Sequence, residues 1–426
     1  MRAQSTPRGF RVQIGLFGRR NTGKSSLLNA LTRQQVSIVS EVAGTTTDPV
    51  EKPMELLPLG PVVFIDTAGL DDVGALGEER IVKTRRALDR ADLAVIVSDG
   101  GWGDFEDGLL EEFKRRRVPV LVAFNKSDLG TAPRLENRQV KSVSVSALTG
   151  DGIAELRAAI VESAPKDAAG EQTIVSDLVR PGELAVLVVP IDKEAPKGRL
   201  ILPEAQTIRD LLDHHAMCMV VTESELASAL ANLRRAPRLV VTDSQAFSKV
   251  AAEVPAGVPL TSFSILFSRL KGDLAAQALG AAAIGDLRDG DRVLIAEACT
   301  HHPIGEDIGR VKIPRWIREY NGTRVEFVHT QGHDFPEDLS SFRLIVHCGA
   351  CMLNRREVTA RIARSKAAGV AITNYGLAIA FCLGILERAL EPFPAALEVV
   401  RKRRTREQSR PASESKTSSL ERNYAY

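Results

Sequence analysis

The segment Gly18-Arg-Arg-Asn-Thr-Gly-Lys-Ser25 constrains this chain more than any other. It fits the phosphate-loop pattern of a glycine, four variable residues, then Gly-Lys-Ser. That pattern has mechanical meaning only between a strand and a helix. Here the apolar run Val-Gln-Ile-Gly-Leu-Phe precedes it, and Ser-Ser-Leu-Leu-Asn-Ala-Leu-Thr follows. The glycines let backbone N–H groups curl around phosphate oxygens. Lys24 supplies a point charge to the β and γ phosphates, and the Ser25 hydroxyl suits Mg²⁺. Further apolar runs (VVFIDTAG, LAVIVSDG, VPVLVAFNKSD and KSVSVSA) alternate with helical patterns. That alternation predicts an α/β fold on a parallel sheet.

The remaining nucleotide motifs follow in order. Asp66-Thr-Ala-Gly69 ends an apolar strand, so Asp66 can hold the Mg²⁺ shell and the Gly69 N–H can face a γ-phosphate. Asn125-Lys126-Ser127-Asp128 follows Val-Leu-Val-Ala-Phe. A carboxylate at Asp128 accepts from guanine N1–H and the 2-amino group, a pair that adenine cannot supply, so the nucleotide is expected to be GTP. Ser146 and Ala147 fit the last guanine-contacting loop, while Arg20, Thr22, Gly23 and Ser26 complete the phosphate loop and the helix start. Gly44-Thr-Thr-Thr-Asp48 resembles switch I of the TrmE–Era group, with Thr46 as the Mg²⁺-contacting threonine and Thr45 as the alternative. The expected Mg²⁺ shell is therefore Ser25, Thr46 and Asp66, and the residues expected to act in hydrolysis are Lys24, Thr46, Asp66 and Asn21. Many GTPases place a water-orienting glutamine after the Asp-x-x-Gly glycine. Leu70 stands there and cannot polarise water. In the TrmE-like group the loop asparagine, here Asn21, binds potassium, and a K⁺ ion beside the β–γ bridge would serve electrostatically.

A net charge of +2 gives no reason to expect a nucleic-acid or anionic-membrane partner. The N-terminus lacks the apolar run of a signal peptide, and no apolar stretch is long enough to span a bilayer, so a cytoplasmic protein is expected. Five cysteines, an odd number, argue against a disulfide framework. The chain divides by composition into a disordered leader at 1–9, a nucleotide domain at 10–165, a linker at 164–172, α/β blocks at 173–265 and 270–398, and a disordered basic tail at 401–426. The tail carries eight basic residues against three acidic ones.

A second constellation lies in the last block. Cys299-Thr-His301-His302 follows the strand pattern RVLIAEA, and His347-Cys348-Gly-Ala-Cys351 follows FRLIV. If those strands are parallel neighbours, both loops lie at one sheet edge. Three thiolates with one weaker ligand suit a 4Fe–4S cluster, zinc as Cys₃His, or a redox dithiol. Spacing leaves these open. Candidates for a fourth ligand are His301, His302, Glu306 and His347; His329 and His333 are further off. Cys218 and Cys382 are expected to be small core residues.

The run from CTHHPIGEDIGRVKIPRW to HCGAC, with PIDKEAPKGRLILPEAQTIRDLLD, VVTDSQAF, TSFSILFSRLKGDL and TNYG, resembles the FeFe-hydrogenase maturation GTPases, the HydF family, over about residues 10–395. The resemblance implies a GTPase domain followed by a dimerisation domain and a cluster-binding domain. It implies that Cys299, Cys348 and Cys351 hold a 4Fe–4S cluster with an exchangeable ligand on the remaining iron. It also implies a homodimeric scaffold. That scaffold would receive a diiron precursor bearing CO and cyanide, built with the radical-SAM partners HydE and HydG, and deliver it to apo-hydrogenase. Two other classes compete: an RNA-directed TrmE/Era-type GTPase with a structural zinc, and a redox sensor with a Cys348–Cys351 pair.

Overall fold

The computed structural model describes residues 6–32, 50–68, 84, 86–130, 140–165, 173–191, 200–298 and 307–408. The chain forms two compact units, Met1–Gln172 with Met352–Ala360, and Thr173–Cys351 with Arg361–Tyr426.

The first unit is built on β1 (Val12–Phe17), α1 (Lys24–Thr32), β2 (Val50–Leu56), β3 (Gly60–Asp66), β4 (Leu93–Ser98), α2 (Asp104–Arg115), β5 (Val120–Phe124), β6 (Lys141–Ser144) and α3 (Ile153–Ser163). The sheet order is β2-β3-β1-β4-β5-β6, with β2 antiparallel to β3 and the other pairs parallel. β1 and β4 are buried along their whole length, which is why they read as unbroken apolar runs. Val12, Ile14 and Leu16 pack with Leu27, Leu28 and Leu31 on one face, while Phe17, Val63 and Ile65 meet Leu109, Leu110 and Phe113 on the other. Strand β2 escaped the sequence reading. Its charged and proline residues are tolerated because it is a half-exposed edge strand.

The second unit holds two four-stranded parallel sheets. The first contains β7 (Leu184–Val188), α4 (Leu202–Asp213), β8 (Met217–Val221), α5 (Leu226–Ala231), β9 (Leu239–Thr242), α6 (Phe247–Glu253), β10 (Leu260–Ser262) and α7 (Phe263–Lys271), in strand order β10-β9-β7-β8. The second begins with α8 (Leu274–Ala282) and contains β11 (Arg292–Glu297), α9 (Ile313–Asn321), β12 (Glu326–Gln331), β13 (Leu344–His347), α10 (Arg355–Ala367), β14 (Ala371–Asn374) and α11 (Tyr375–Cys382). Its strand order is β12-β11-β13-β14, and α12 (Leu386–Ala389) and α13 (Pro394–Gln408) follow. Helix α8 lies directly against β14, where a Cβ on Gly280 would sit 1.9 Å from the Ile372 carbonyl oxygen.

Three expectations need correction. The stretch VPLTSFSIL is only briefly a strand, because the Ser262 side chain accepts from Ile265 N at 3.2 Å and starts α7 at Phe263. The basic segment from Arg401 is not disordered at its start; α13 carries it to Gln408. Arg401 and Arg404 pair with Glu387, and Arg403 with Asp286, so the charge is partly matched within the unit. Residues 409–426 lie outside the described residues. Cys218 is half-buried on the edge strand β8 rather than in the core, while Cys382 packs against the cluster of Ile284, Ile295 and Ile379. No helix among the described residues is long and apolar enough to cross a membrane.

Candidate functional site

The phosphate loop joins β1 to α1 through two glycines that no other residue can replace. Gly18 has φ +149° and a Cβ there would meet the Val97 carbonyl at 2.2 Å; Gly23 has φ +85° and a Cβ there would meet Asn125 Nδ2 at 2.2 Å. Lys24 is buried, and its Nζ donates to Gly18 O at 3.1 Å and Arg19 O at 2.6 Å, which holds the ammonium across the loop. Ser25 Oγ donates to Asp66 Oδ2 at 2.6 Å, so two of the three expected Mg²⁺ residues are already together. The loop residues Arg20 and Asn21 are exposed, and Asn21 adopts φ 63°, while Thr22 is buried and Ser26, in the first turn of α1, is half-buried.

Asn125 ties the motifs to one another. Its Nδ2 donates to Thr22 O at 2.9 Å and its Oδ1 accepts from Ala147 N at 3.0 Å. Ser146 Oγ donates to Asp128 Oδ1 at 2.6 Å, which orients the carboxylate expected to read guanine. Lys126 takes a left-handed φ of 62° and pairs with Asp99 at 3.3 Å. Thr45, Thr46, Gly69 and Leu70 lie outside the described residues. Sequence reading missed Arg19. Its Nε donates to Glu106 Oε1 at 2.8 Å and its Nη2 to Oε2 at 3.3 Å, fixing the outer limb of the loop. Glu106 is far along the chain, and no local pattern announces it.

The cysteine loop sits at the carboxyl end of β13. β11 and β13 are parallel neighbours, with Ala296 opposite His347, as the sequence reading required. Cys348 Sγ accepts from Ala298 N at 3.0 Å and Ala350 N at 3.4 Å. Ala298 immediately precedes Cys299 in the chain. Two backbone donors on one sulfur suit a metal-bound thiolate, and Cys351 follows at the spacing that lets two sulfurs share one centre. The donor set therefore fits a thiolate-held group. Without such a group, loss of surrounding water and the neighbouring Cys351 push the Cys348 thiol up to about 11. Cys299, His301, His302 and Glu306 lie outside the described residues, and among the described residues no three His, Cys, Asp or Glu side chains form a metal-holding group.

His347 is buried, and its Nδ1 lies 2.9 Å from Cys348 O. Arg361 reaches from α10, with Nη1 2.9 Å from His347 Nε2 and Nη2 2.8 Å from Gly332 O. On the other side, Lys271 Nζ donates to Ala350 O at 2.9 Å and Cys351 O at 3.2 Å. Burial lowers the Lys271 pKa to about 8, against the opposing pull of Cys351 and Cys348. Buried Tyr375 donates to Glu297 Oε1 at 3.2 Å; burial, Cys348 and Glu297 raise its pKa well above 10. A Cβ on Gly309 would meet the Tyr375 hydroxyl at 2.1 Å and Glu297 Oε1 at 2.6 Å, so that glycine admits the pair. Asn374 caps α11 by accepting from Leu377 N at 2.9 Å and donates to Ser264 O at 2.8 Å. The TNYG motif thereby joins the ends of the two sheets. Lys271, Arg361 and Glu297 were not singled out from sequence.

Comparison with known proteins gives matches along most of the chain. Residues 174–272 match the Hydrogen maturase F dimerization domain, residues 275–392 the Hydrogen maturase F tetramerization domain, and residues 13–126 the 50S ribosome-binding GTPase family. The tRNA modification GTPase MnmE of Nitrosomonas europaea is 39% identical over 157 residues, covering 36% of this chain and 35% of the relative. MnmE of Aquifex aeolicus is 37% identical over 155 residues, covering 35% and 34%. The chain spans about a third of the length of these curated relatives. Among solved structures, Aquifex aeolicus Era shares 21% identity, covers 49% of this chain and 93% of its own, and has a TM-score of 0.34. The G domain of the T. maritima FeoB iron transporter shares 26% identity, covers 36% and 98%, and has a TM-score of 0.29.

Proposed function

The chain belongs to the hydrogen maturase F (HydF) family of hydrogenase maturation GTPases, and from that premise we propose that it is a GTP-hydrolysing carrier that binds a 4Fe–4S cluster and delivers a diiron precursor to apo FeFe-hydrogenase. The observation that carries the cluster reading is the Cys348 thiol at the end of β13, receiving N–H bonds from Ala298 and Ala350. In this reading Cys299, Cys348 and Cys351 are the cluster ligands, with the last position filled by His301, His302 or Glu306; His347, the fourth sequence candidate, has both ring nitrogens engaged. The bound cluster supplies an iron with an exchangeable ligand, where a cargo carrying CO and cyanide can attach and leave. The chain's own part is to hold the sulfurs at a sheet edge and to feed N–H dipoles to them.

The GTPase domain holds Mg·GTP through Lys24, Ser25, Asp66 and the Asn125–Asp128 loop. Because Leu70 cannot orient water, K⁺ held near Asn21 supplies the positive charge that hydrolysis needs. Nucleotide state then alters affinity for partners: HydE and HydG on loading, the apo-hydrogenase on delivery. That effect requires the GTP and GDP forms to bind those partners unequally. Both maturase domains are assembly domains, and β8 supports a dimer. It is an edge strand of its described sheet, with exposed Met217 and Val220, and edges of this kind pair with a second copy. The site of action is taken to be the cytoplasm.

Separable sites are the test. Lys24→Ala should abolish GTP hydrolysis and leave iron binding intact, while Cys348→Ser should remove the cluster and leave GTP turnover. Loss of both activities in either variant contradicts this reading. Replacing K⁺ by Na⁺ should slow turnover; equal rates remove the potassium role.

A further inference from the structure

Lys271 ends α7, the last helix of the first sheet's domain, yet its ammonium bonds the turn between Cys348 and Cys351. It is 1% exposed. A lysine is rarely buried so completely without partners that need its charge. Among its partners are electron-rich groups: the carbonyls of Ala350 and Cys351, and the Phe267 ring, whose centroid lies 5.7 Å from Nζ. The turn has an unusual shape. Ala350 adopts φ 54°, a left-handed conformation that a residue with a Cβ takes up only under constraint. In that shape the carbonyls of residues 350 and 351 reach Lys271 while the Ala350 N–H reaches Cys348 Sγ. One side chain thus bonds the outer oxygens of the turn whose inner N–H bonds the sulfur.

We infer that Lys271 is a positioning residue of the thiolate site: it holds the Cys348–Cys351 turn in its left-handed shape and sets a fixed positive charge beside the two sulfurs. The inference rests on the cluster-binding reading above. A cation fixed in low dielectric favours the more negative, reduced state of a thiolate-held centre, so it raises that centre's reduction potential. This charge arrives from α7, so the domain built on the first sheet contributes a residue to the site.

The experiment uses the full chain, reconstituted anaerobically with iron and sulfide. Iron per chain and the midpoint potential, from an EPR-monitored redox titration, are compared among the parent, Lys271→Met, Lys271→Gln and Lys271→Arg. Far-UV circular dichroism confirms that each variant is folded. The neutral variants should hold iron at a more negative midpoint, with Lys271→Arg closer to the parent. If both neutral variants lose iron while Lys271→Arg keeps it, the positioning role is also supported. A neutral variant with parental iron and an unchanged midpoint overturns the inference, as does equal iron loss in all three variants. A parent that takes up no cluster is a different failure, and it sinks the carrier reading itself.

Discussion

Arg361 Nη1 lies 2.9 Å from His347 Nε2, and this contact fixes the state of the histidine. A guanidinium only donates, so Nε2 accepts. The hydrogen is then on Nδ1, which donates to Cys348 O at 2.9 Å. Both ring nitrogens are engaged, and neither has a lone pair to offer iron in this arrangement. Of the four candidate fourth ligands, His347 is therefore assigned to shaping the loop. His347→Gln should leave the nitrogen couplings in pulsed EPR of the reduced cluster as they are in the parent. A coupling that disappears in the variant would make His347 a ligand.

The guanine reader can be re-tuned by one atom. In the proposed guanine site Asp128 would accept twice, from N1–H and the 2-amino group, and Ser146 Oγ donates to its Oδ1 at 2.6 Å. An amide offers one acceptor and one donor, which matches the N1–H and C2 carbonyl of xanthine. Asp128→Asn should shift preference from GTP toward xanthosine triphosphate by on the order of 100-fold. Ser146→Ala should weaken GTP about three- to tenfold through loss of the orienting bond. Competition binding with the two nucleotides reads both effects, and an unchanged preference in Asp128→Asn would remove Asp128 from the site.

Burial pushes the Cys382 thiol from 9.0 up to about 12. Between those values the folded chain keeps a proton that the unfolded chain has released. Stability from this thiol is therefore full below pH 9 and falls as pH rises, by about 1.4 kcal/mol per unit. Cys348 acts in the same sense up to about 11, and Lys271 in the opposite sense between about 8 and 10.5. Comparison with Cys382→Ala isolates the one group. Urea unfolding at about pH 8.5 and about pH 10.5 should show a shallower alkaline loss in the variant. Parallel losses would contradict the burial argument.

Gly280 lets α8 touch the backbone of β14. A methyl group there would stand 1.9 Å from Ile372 O, in the strand β14 that is held in parallel register against β13. Gly280→Ala should lower stability by about 1–3 kcal/mol through forced separation of helix and strand. Urea midpoints measure it. GTP turnover, which belongs to the other unit, should be unaffected.

The readable parts of this chain were those whose chemistry is local in sequence. Lys24, Ser25, Asp66, Asn125 and Asp128 declare themselves because each sits at a set distance from a glycine or a strand end. In the structure Lys24 reaches across the loop, Ser25 meets Asp66, Asn125 meets Thr22 and Ser146 meets Asp128. The parallel pairing of β11 and β13 entered the sequence reading only as a condition, which the structure meets; both strands are short apolar runs followed in sequence by a cysteine. Strand β2 was hidden because an exposed edge does not need an apolar pattern. Helix α13 was hidden because Arg401 and Arg403 look solvated until Glu387 and Asp286 are seen beside them. Lys271 and Arg361 were hidden for a third reason. They act on the cysteine loop from separate helices, and only the tertiary fold brings Lys271 to Ala350 and Arg361 to His347.

The central claim is that the thiols at the end of β13 hold an iron–sulfur cluster for a maturation carrier. Its most direct test is anaerobic reconstitution with iron and sulfide, followed by iron analysis and EPR of the reduced protein. The account predicts about four irons per chain and a 4Fe–4S signal, both lost in Cys299→Ser, Cys348→Ser and Cys351→Ser. One tightly bound zinc with no cluster signal, or iron content unchanged in those variants, would contradict it.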